Sequence, residues 1–309
     1  MKLSLFNIMS LYKNDFELDK TKLIRHTTDK FDFKELVRSG LIEKYQLYQG
    51  TPVFHTCDYI IVFIADGGMR SILHGIYKVV SKPQNKEWHM LDKNHFDLLY
   101  SKREDDEKYI RENINKKESK VFEYKYELEL IDDFAELYDR VVVEWASSPR
   151  NWQVLAKDRD IVRDQEILEV YPKNYVREFP GFLDFILDFK ELQKMINNPD
   201  SNKLWHQMLS SVAGIYLILD RSTGKQYVGS AYGKEGGIIG RWKTYVTQNM
   251  KENKDLIELV KNNPEDYKYN FSFTVLRTLS KTLSIEEVIK VENFYKEKLS
   301  SKKHGLNCN

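Results

Sequence analysis

Residues 213–229, AGIYLILDRSTGKQYVG, read as a β-hairpin. Gly214, Ile215 and Tyr216 open an apolar run that Leu217, Ile218 and Leu219 extend, and Tyr227, Val228 and Gly229 close a second. Between them Asp220, Arg221, Ser222, Thr223 and Gly224 are turn chemistry, the glycine being free to take positive φ. A hairpin draws its two ends together, so the spacing predicts that Tyr216 and Tyr227 lie near one another. A second Gly-Ile-Tyr triplet, at 75–77, has no Tyr-Val-Gly after it at hairpin distance. The triplet alone therefore says little, and the weight falls on the residues beyond Gly229.

Gly229, Gly233, Gly236, Gly237 and Gly240 fall within twelve positions. Such density suits either a backbone approached closely by a nucleic-acid strand or a flexible loop. Residues 238–250 then read as an amphipathic helix, with Ile239, Trp242, Val246 and Met250 at helical spacing and Tyr245 alongside. Arg241 sits at the edge of that stripe, where a guanidinium can steady the charge of a phosphoryl transition state or simply face water. Residues 269–278 alternate as a third strand does, and Ser284 with Glu287 forms a capping box at the head of a last helix, 284–299. Its apolar face takes Ile285, Val288, Ile289, Tyr295 and Leu299, which puts Glu292 in mid-stripe. A carboxylate there is costly unless paired or metal-bound. A buried arginine partner or a kinked helix would also satisfy it; with the hairpin upstream, a metal is the preferred reading. Asn307, near the end, either bonds into a site or terminates the fold.

The hairpin, the glycine loop with Arg241, the third strand, the Glu292 helix and the terminal Gly-Leu-Asn occur in the order found in GIY-YIG nucleases, which residues 211–309 resemble. Ten residues, 217–226, separate the two triplets. The second reads Tyr-Val-Gly rather than Tyr-Ile-Gly, the loss of one methylene. The resemblance implies a three-stranded antiparallel sheet flanked by helices, and hydrolysis of phosphodiester bonds with one divalent ion, Mg²⁺ or Mn²⁺. It implies Glu292 as the metal ligand and Tyr216 as general base, or relay, for the attacking water. Tyr227 would hydrogen-bond within the site, Arg241 would contact the scissile phosphate and Asn307 would support them. Lys225, Lys234 and Lys243 are candidate phosphate contacts, and Lys296, one turn after Glu292, is a candidate to reach the site. A phenol titrates near ~10, so it is a poor base at neutral pH. A metal and Arg241 are expected to lower that value.

The preceding residues are strand-rich. Residues 58–65 and 71–80 read as a hairpin, and 121–130, 141–145 and 167–171 as further strands. The run 102–120 is a charge-dense solvated segment. This spacing predicts an α+β chain: a barrel-like strand-rich domain over 1–180, a helical connector over 181–210 containing helices at 184–196 and 201–209, and the catalytic domain over 211–309. The first domain faintly resembles PUA-like modules, a superfamily that includes readers of modified bases. Trp145, Arg150, Trp152 and Gln153 surround the loop 147–151 and are candidates to stack on and read a base, although tryptophans at strand spacing are more often core.

Charge separates the two parts. Residues 211–309 hold 16 lysines and arginines against 11 aspartates and glutamates, and the residues before them hold 32 against 36. The excess on the last third suits a phosphate-facing surface, though scatter explains it equally well. No run reaches the ~20 apolar residues that span a bilayer. Two cysteines, Cys57 and Cys308, make neither a disulfide framework nor a zinc pattern. The expectation is a cytoplasmic DNA endonuclease acting on double-stranded DNA, in restriction or defence, with the first domain reading the target or a modified base in it. Cutting both strands with one small site implies pairing of two chains on DNA. Three alternatives stand beside it: a sequence-specific restriction enzyme on unmodified DNA, a structure-specific repair nuclease, and an inert nucleic-acid-binding module.

Overall fold

The computed structural model describes residues 3–14, 16–27, 33–38, 40–85, 123–145, 151–157, 165–248, 254–261 and 265–307. Arg150, Met250, Cys308 and the run 102–120 lie outside them. The chain is mixed α+β and divides into two compact units, Met1–Tyr171 and Pro172–Asn309.

In the first unit the elements run α1 (Leu5–Tyr12), β1 (Thr21–His26), α2 (Phe33–Arg38), α3 (Ile42–Leu47), β2 (Tyr48–Gln49), β3 (Tyr59–Ala65), β4 (Arg70–Ser81), β5 (Tyr124–Lys125), β6 (Glu127–Leu130), β7 (Val141–Glu144), β8 (Gln153–Leu155) and β9 (Ile167–Val170). Seven strands form one sheet in the order β8-β1-β3-β4-β7-β9, with β6 also on β4; β2 and β5 make a separate ribbon. No pairing among the described residues closes the sheet into the expected barrel. The strand order ends at β8 and β9, and within it β1 pairs parallel with β3. The β1 sequence, TKLIRH, does not read as buried strand, yet Lys22, Arg25 and His26 are all buried. Each has a partner distant in sequence: Lys22 Nζ donates to the Val53 carbonyl at 2.5 Å, Arg25 Nε to Ser71 Oγ at 2.8 Å, and His26 Nε2 meets Gln46 Oε1 at 2.6 Å. Buried polar groups that find such partners leave no hydropathy signal.

The second unit contains β10 (Leu187–Asp188), α4 (Phe189–Asn197), α5 (Lys203–Ser210), β11 (Ala213–Asp220), β12 (Gln226–Ala231), α6 (Gly237–Thr247), α7 (Lys254–Lys261), β13 (Phe271–Leu279), α8 (Ile285–Lys298) and α9 (Ser301–His304). Its antiparallel sheet has four strands, β10-β13-β11-β12, where three are expected. The helix that apolar periodicity starts at 184 begins at Phe189, because Asp188 caps it: Asp188 Oδ1 accepts from the Glu191 N–H at 2.8 Å, and Glu191 answers. Leu187 and Asp188 are thereby left extended and pair with Phe273 and Ser272.

Nor are residues 181–210 a connector. Phe185, Leu187, Phe189, Leu192, Met195, Trp205 and Leu209 share one core with Tyr216, Ile218, Tyr227, Trp242, Tyr245, Phe271 and Phe273. The other face of the sheet presents Ala213, Ile215, Val228 and Leu279 to α8, whose fully buried contact is Val288. Val291, Tyr295 and Leu299 complete the inner face of α8, while Ile285 and Ile289 are 50% and 40% exposed. The stripe is thus rotated from its expected position, and Glu292 lies on its flank rather than at its centre.

Candidate active site

The hairpin forms as its sequence predicts, with Tyr216 opposite Gly229 and Ile218 opposite Tyr227. Side chains alternate across a strand, and directly paired residues share a face. Tyr216 and Tyr227 therefore point to the same side, into the core shared with α6. The hydroxyl end of the Tyr216 ring lies against Gly229. A Cβ at 229 would fall 2.5 Å from its Cζ, so only glycine fits there.

Tyr216 is fully buried, and its hydroxyl shares a 2.8 Å hydrogen bond with that of Tyr245, also fully buried. Arg241 Nε donates to the Tyr216 hydroxyl at 3.4 Å, and its guanidinium lies 5.3 Å from the centre of the Tyr245 ring. Arg241 and Tyr245 are one turn apart on α6, so the helix delivers both to one place. Sequence reasoning assigns Tyr245 no role; the one signal for it is its position four residues after Arg241. Burial pushes the Tyr216 phenol well above its usual value, and the nearby Tyr227 adds to this. Arg241 and the Tyr245 hydrogen bond work against it and are outweighed. Arg241 thus lowers the Tyr216 phenol as expected, but in the free chain burial outweighs it. Tyr245 is likewise raised, chiefly by burial.

Glu292 belongs to a second cluster. Ser230 is the next residue after Gly229 and pairs with Ile215, so it faces α8 instead. Its Oγ donates to Glu292 Oε2 at 2.5 Å, and Lys296 Nζ meets Glu292 Oε1 at 2.7 Å. The Glu292 and Lys296 side chains are 13% and 12% exposed. Both carboxylate oxygens are therefore engaged by the chain itself, by a lysine where a metal or an arginine is expected. No hydrogen bond joins Glu292 to Tyr216 or Tyr227. Among the described residues no group of three or more His, Cys, Asp or Glu side chains could hold a metal ion. A single carboxylate does suit a cation that keeps most of its water, and the ammonium 2.7 Å from Oε1 shows that positive charge is stabilised at this place.

The remaining candidates divide. Asn307 is buried and holds the hairpin rather than a reactive group: its Oδ1 accepts from the Val228 N–H at 2.9 Å and its Nδ2 donates to the Val228 carbonyl at 2.8 Å. The Leu306 N–H donates to the Gln226 carbonyl at 2.8 Å. β12 is an edge strand, and residues 305–307 pair with part of its open side. Lys225, Lys234 and Lys243 are exposed. The glycine-rich loop is approached by the chain's own backbone rather than kept clear for another strand. Gly237, at φ +66, packs against the carbonyls of Leu209, Ser210 and Val212, and a Cβ at Gly233 would meet the Lys281 carbonyl at 2.6 Å. In the first unit Trp145 is fully buried, its ring against Phe63, which removes it as a base-stacking residue. Trp152 is 41% exposed and Gln153 half-buried in β8.

No family model and no curated protein matches the chain. Two solved structures are similar to part of it. A point mutant of the catalytic domain of the intron endonuclease I-TevI is 25% identical, with 32% of this chain and 94% of that chain covered and a TM-score of 0.26. A structure of the catalytic domain of homing endonuclease I-TevI is 24% identical, with 31% and 98% covered and a TM-score of 0.24.

Proposed function

We propose that the second unit is a DNA endonuclease that hydrolyses phosphodiester bonds with one Mg²⁺ or Mn²⁺ ion, as its sequence resemblance to GIY-YIG nucleases implies. One observation carries the reading: adjacent positions of an edge strand, Gly229 and Ser230, separate a Tyr216–Tyr245–Arg241 cluster from a Ser230–Glu292–Lys296 cluster. A phosphodiester reached by both would lie beside the outer edge of β12 at Gly229, next to the Val228 backbone that Asn307 holds. Arg241 would meet the phosphoryl oxygens, and its charge would grow in importance as the transition state gains negative charge. Tyr216 would hold the attacking water and take its proton, with Tyr245 fixing the orientation of the hydroxyl. Glu292 would hold the cation, which when bound supplies polarisation of the phosphodiester and an acidified water.

The first unit is proposed to read the target, with the exposed Trp152 as its candidate stacking residue. Double-stranded DNA as substrate, a role in restriction and pairing of two chains on DNA belong to this proposal. No helix among the described residues is long and apolar enough to cross a membrane. The test is to incubate the full chain and Mg²⁺ with matched plasmid and phage DNAs, unmodified or carrying modified cytosines, and to map the ends. Cleavage that disappears in Glu292→Ala and Tyr216→Phe supports the reading. Equal cleavage by wild type and both variants would overturn it.

A further inference from the structure

Lys296 is the feature that the proposed chemistry leaves unexplained. It lies four residues after Glu292 on α8, with its ammonium 2.7 Å from Glu292 Oε1 and its side chain only 12% exposed. An i,i+4 pair with the acid first is the favourable order on a helix. Here the pair is also shielded from water, so its attraction is far less screened than that of a surface pair. Ser230 takes the other oxygen, so Glu292 has both oxygens committed before any cation arrives. The half-exposed Ile285 and Ile289 flank the pair on the same helix and offer neither a competing anion nor a donor.

Resting on the nuclease reading, we infer that Lys296 is a built-in counter-ion for Glu292, that a divalent cation must displace it, and that the freed ammonium then pairs with a phosphate oxygen of the DNA. Two positive charges cannot share one carboxylate without repulsion. Cation binding to the free chain is therefore weak, because it costs the ion pair and leaves Lys296 beside a second cation. DNA supplies the anion that relieves this, so metal and DNA favour each other's binding, and by linkage the effect is reciprocal. Lys296 is in these terms a positioning residue: it couples cofactor to substrate.

The test is a Mn²⁺ titration of the full chain, following free Mn²⁺ by electron paramagnetic resonance, with and without duplex DNA. A Tyr216→Phe background keeps the DNA intact, and circular dichroism checks folding. Lys296→Met should bind Mn²⁺ about three- to tenfold more tightly than its parent without DNA, and DNA, after subtraction of the Mn²⁺ that DNA alone binds, should tighten binding by a larger factor in the parent than in the variant. Lys296→Gln, which keeps a polar end, should behave as Lys296→Met does. Equal or weaker Mn²⁺ binding by both folded variants overturns the inference. If wild type nevertheless cuts DNA, the nuclease reading survives that result. If no form binds Mn²⁺, the inference and the metal assignment fall together.

Discussion

Cleavage by this chain should accelerate steadily with pH across the neutral range and reach no plateau below about pH 9. Tyr216 is fully buried, and burial outweighs the help its phenolate receives from Arg241 and Tyr245. An ordinary phenol near ~10 is ionised in about one molecule in a thousand at pH 7, and a raised one in fewer still. If the phenolate form limits the rate, each added pH unit multiplies it about tenfold. The assay is single-turnover cleavage of a labelled duplex at saturating Mg²⁺, from about pH 6 to about pH 9, for wild type and Tyr216→Phe. The variant should be slower by about 100- to 10,000-fold, the usual worth of a general base, with DNA affinity nearly unchanged. Removing the hydroxyl also leaves that of Tyr245 buried without its 2.8 Å partner. That costs about 1–3 kcal/mol of stability, so rates must be compared well below the variant's melting point. Stability does not confuse the pH series. A phenol raised by folding stays neutral in both states at neutral pH and weakens the folded chain only above about pH 10. A wild-type plateau centred near pH 7 would refute the reasoning, since bound substrate and cation would then have overridden burial. So would a Tyr216→Phe rate within tenfold of wild type.

Gly229→Ala should lower stability by about 1–3 kcal/mol, because its Cβ would press on the Tyr216 ring; chemical denaturation measures this, and an unchanged midpoint would show that the ring moves freely. Asn307→Ala removes two buried hydrogen bonds to the Val228 backbone and should cost about 1–3 kcal/mol, with near-normal cleavage recovered on cooling; a rate that stays lost in folded protein would return Asn307 to the chemistry. His74 carries the pH prediction for the first unit. Burial opposes its charge, but Asp139 and Glu43 overcome burial and hold its imidazolium up to about 9. Its contribution is complete below about pH 6.5 and fades as pH rises toward 9, so the unfolding free energy from chemical denaturation should fall over that window, by about 1–3 kcal/mol, in wild type but not in His74→Gln.

The parts of this fold that the sequence discloses are those whose geometry is local. Tyr216 and Gly229 have to pair once a turn closes between them, and the Ser284–Glu287 capping box announces α8 within four residues. The hidden parts depend on contacts far apart in the chain. β1 carries Lys22, Arg25 and His26 into the interior on the strength of Val53, Ser71 and Gln46, none of them near it in sequence. Asn307 reads equally as a group bonding into the site or as the end of the fold, because nothing in residues 304–307 reveals that they lie along the edge of β12. The five glycines suggest room for a ligand, but a glycine looks the same in sequence whether DNA or the chain's own carbonyls take the space.

Glu292 is the instructive case. Apolar spacing puts it within a stripe of five, and a stripe's width is set by what the helix packs against. Only the sheet face built from Ala213, Ile215, Val228 and Leu279 decides that Val288, Val291, Tyr295 and Leu299 turn inward. The carboxylate then falls on the flank, where Ser230 and its own lysine satisfy it. A partly shielded acid and its lysine are foreseeable from one helix, whereas its serine partner comes from a strand more than sixty residues upstream. The same register sends Tyr216 to one face and Ser230 to the other. A one-residue slip of β12 would therefore send Ser230 to the Tyr216 face and turn Gly229 toward α8. The clamp of residues 305–307 on β12 opposes that slip, which makes the terminal Gly-Leu-Asn a guardian of register rather than of chemistry.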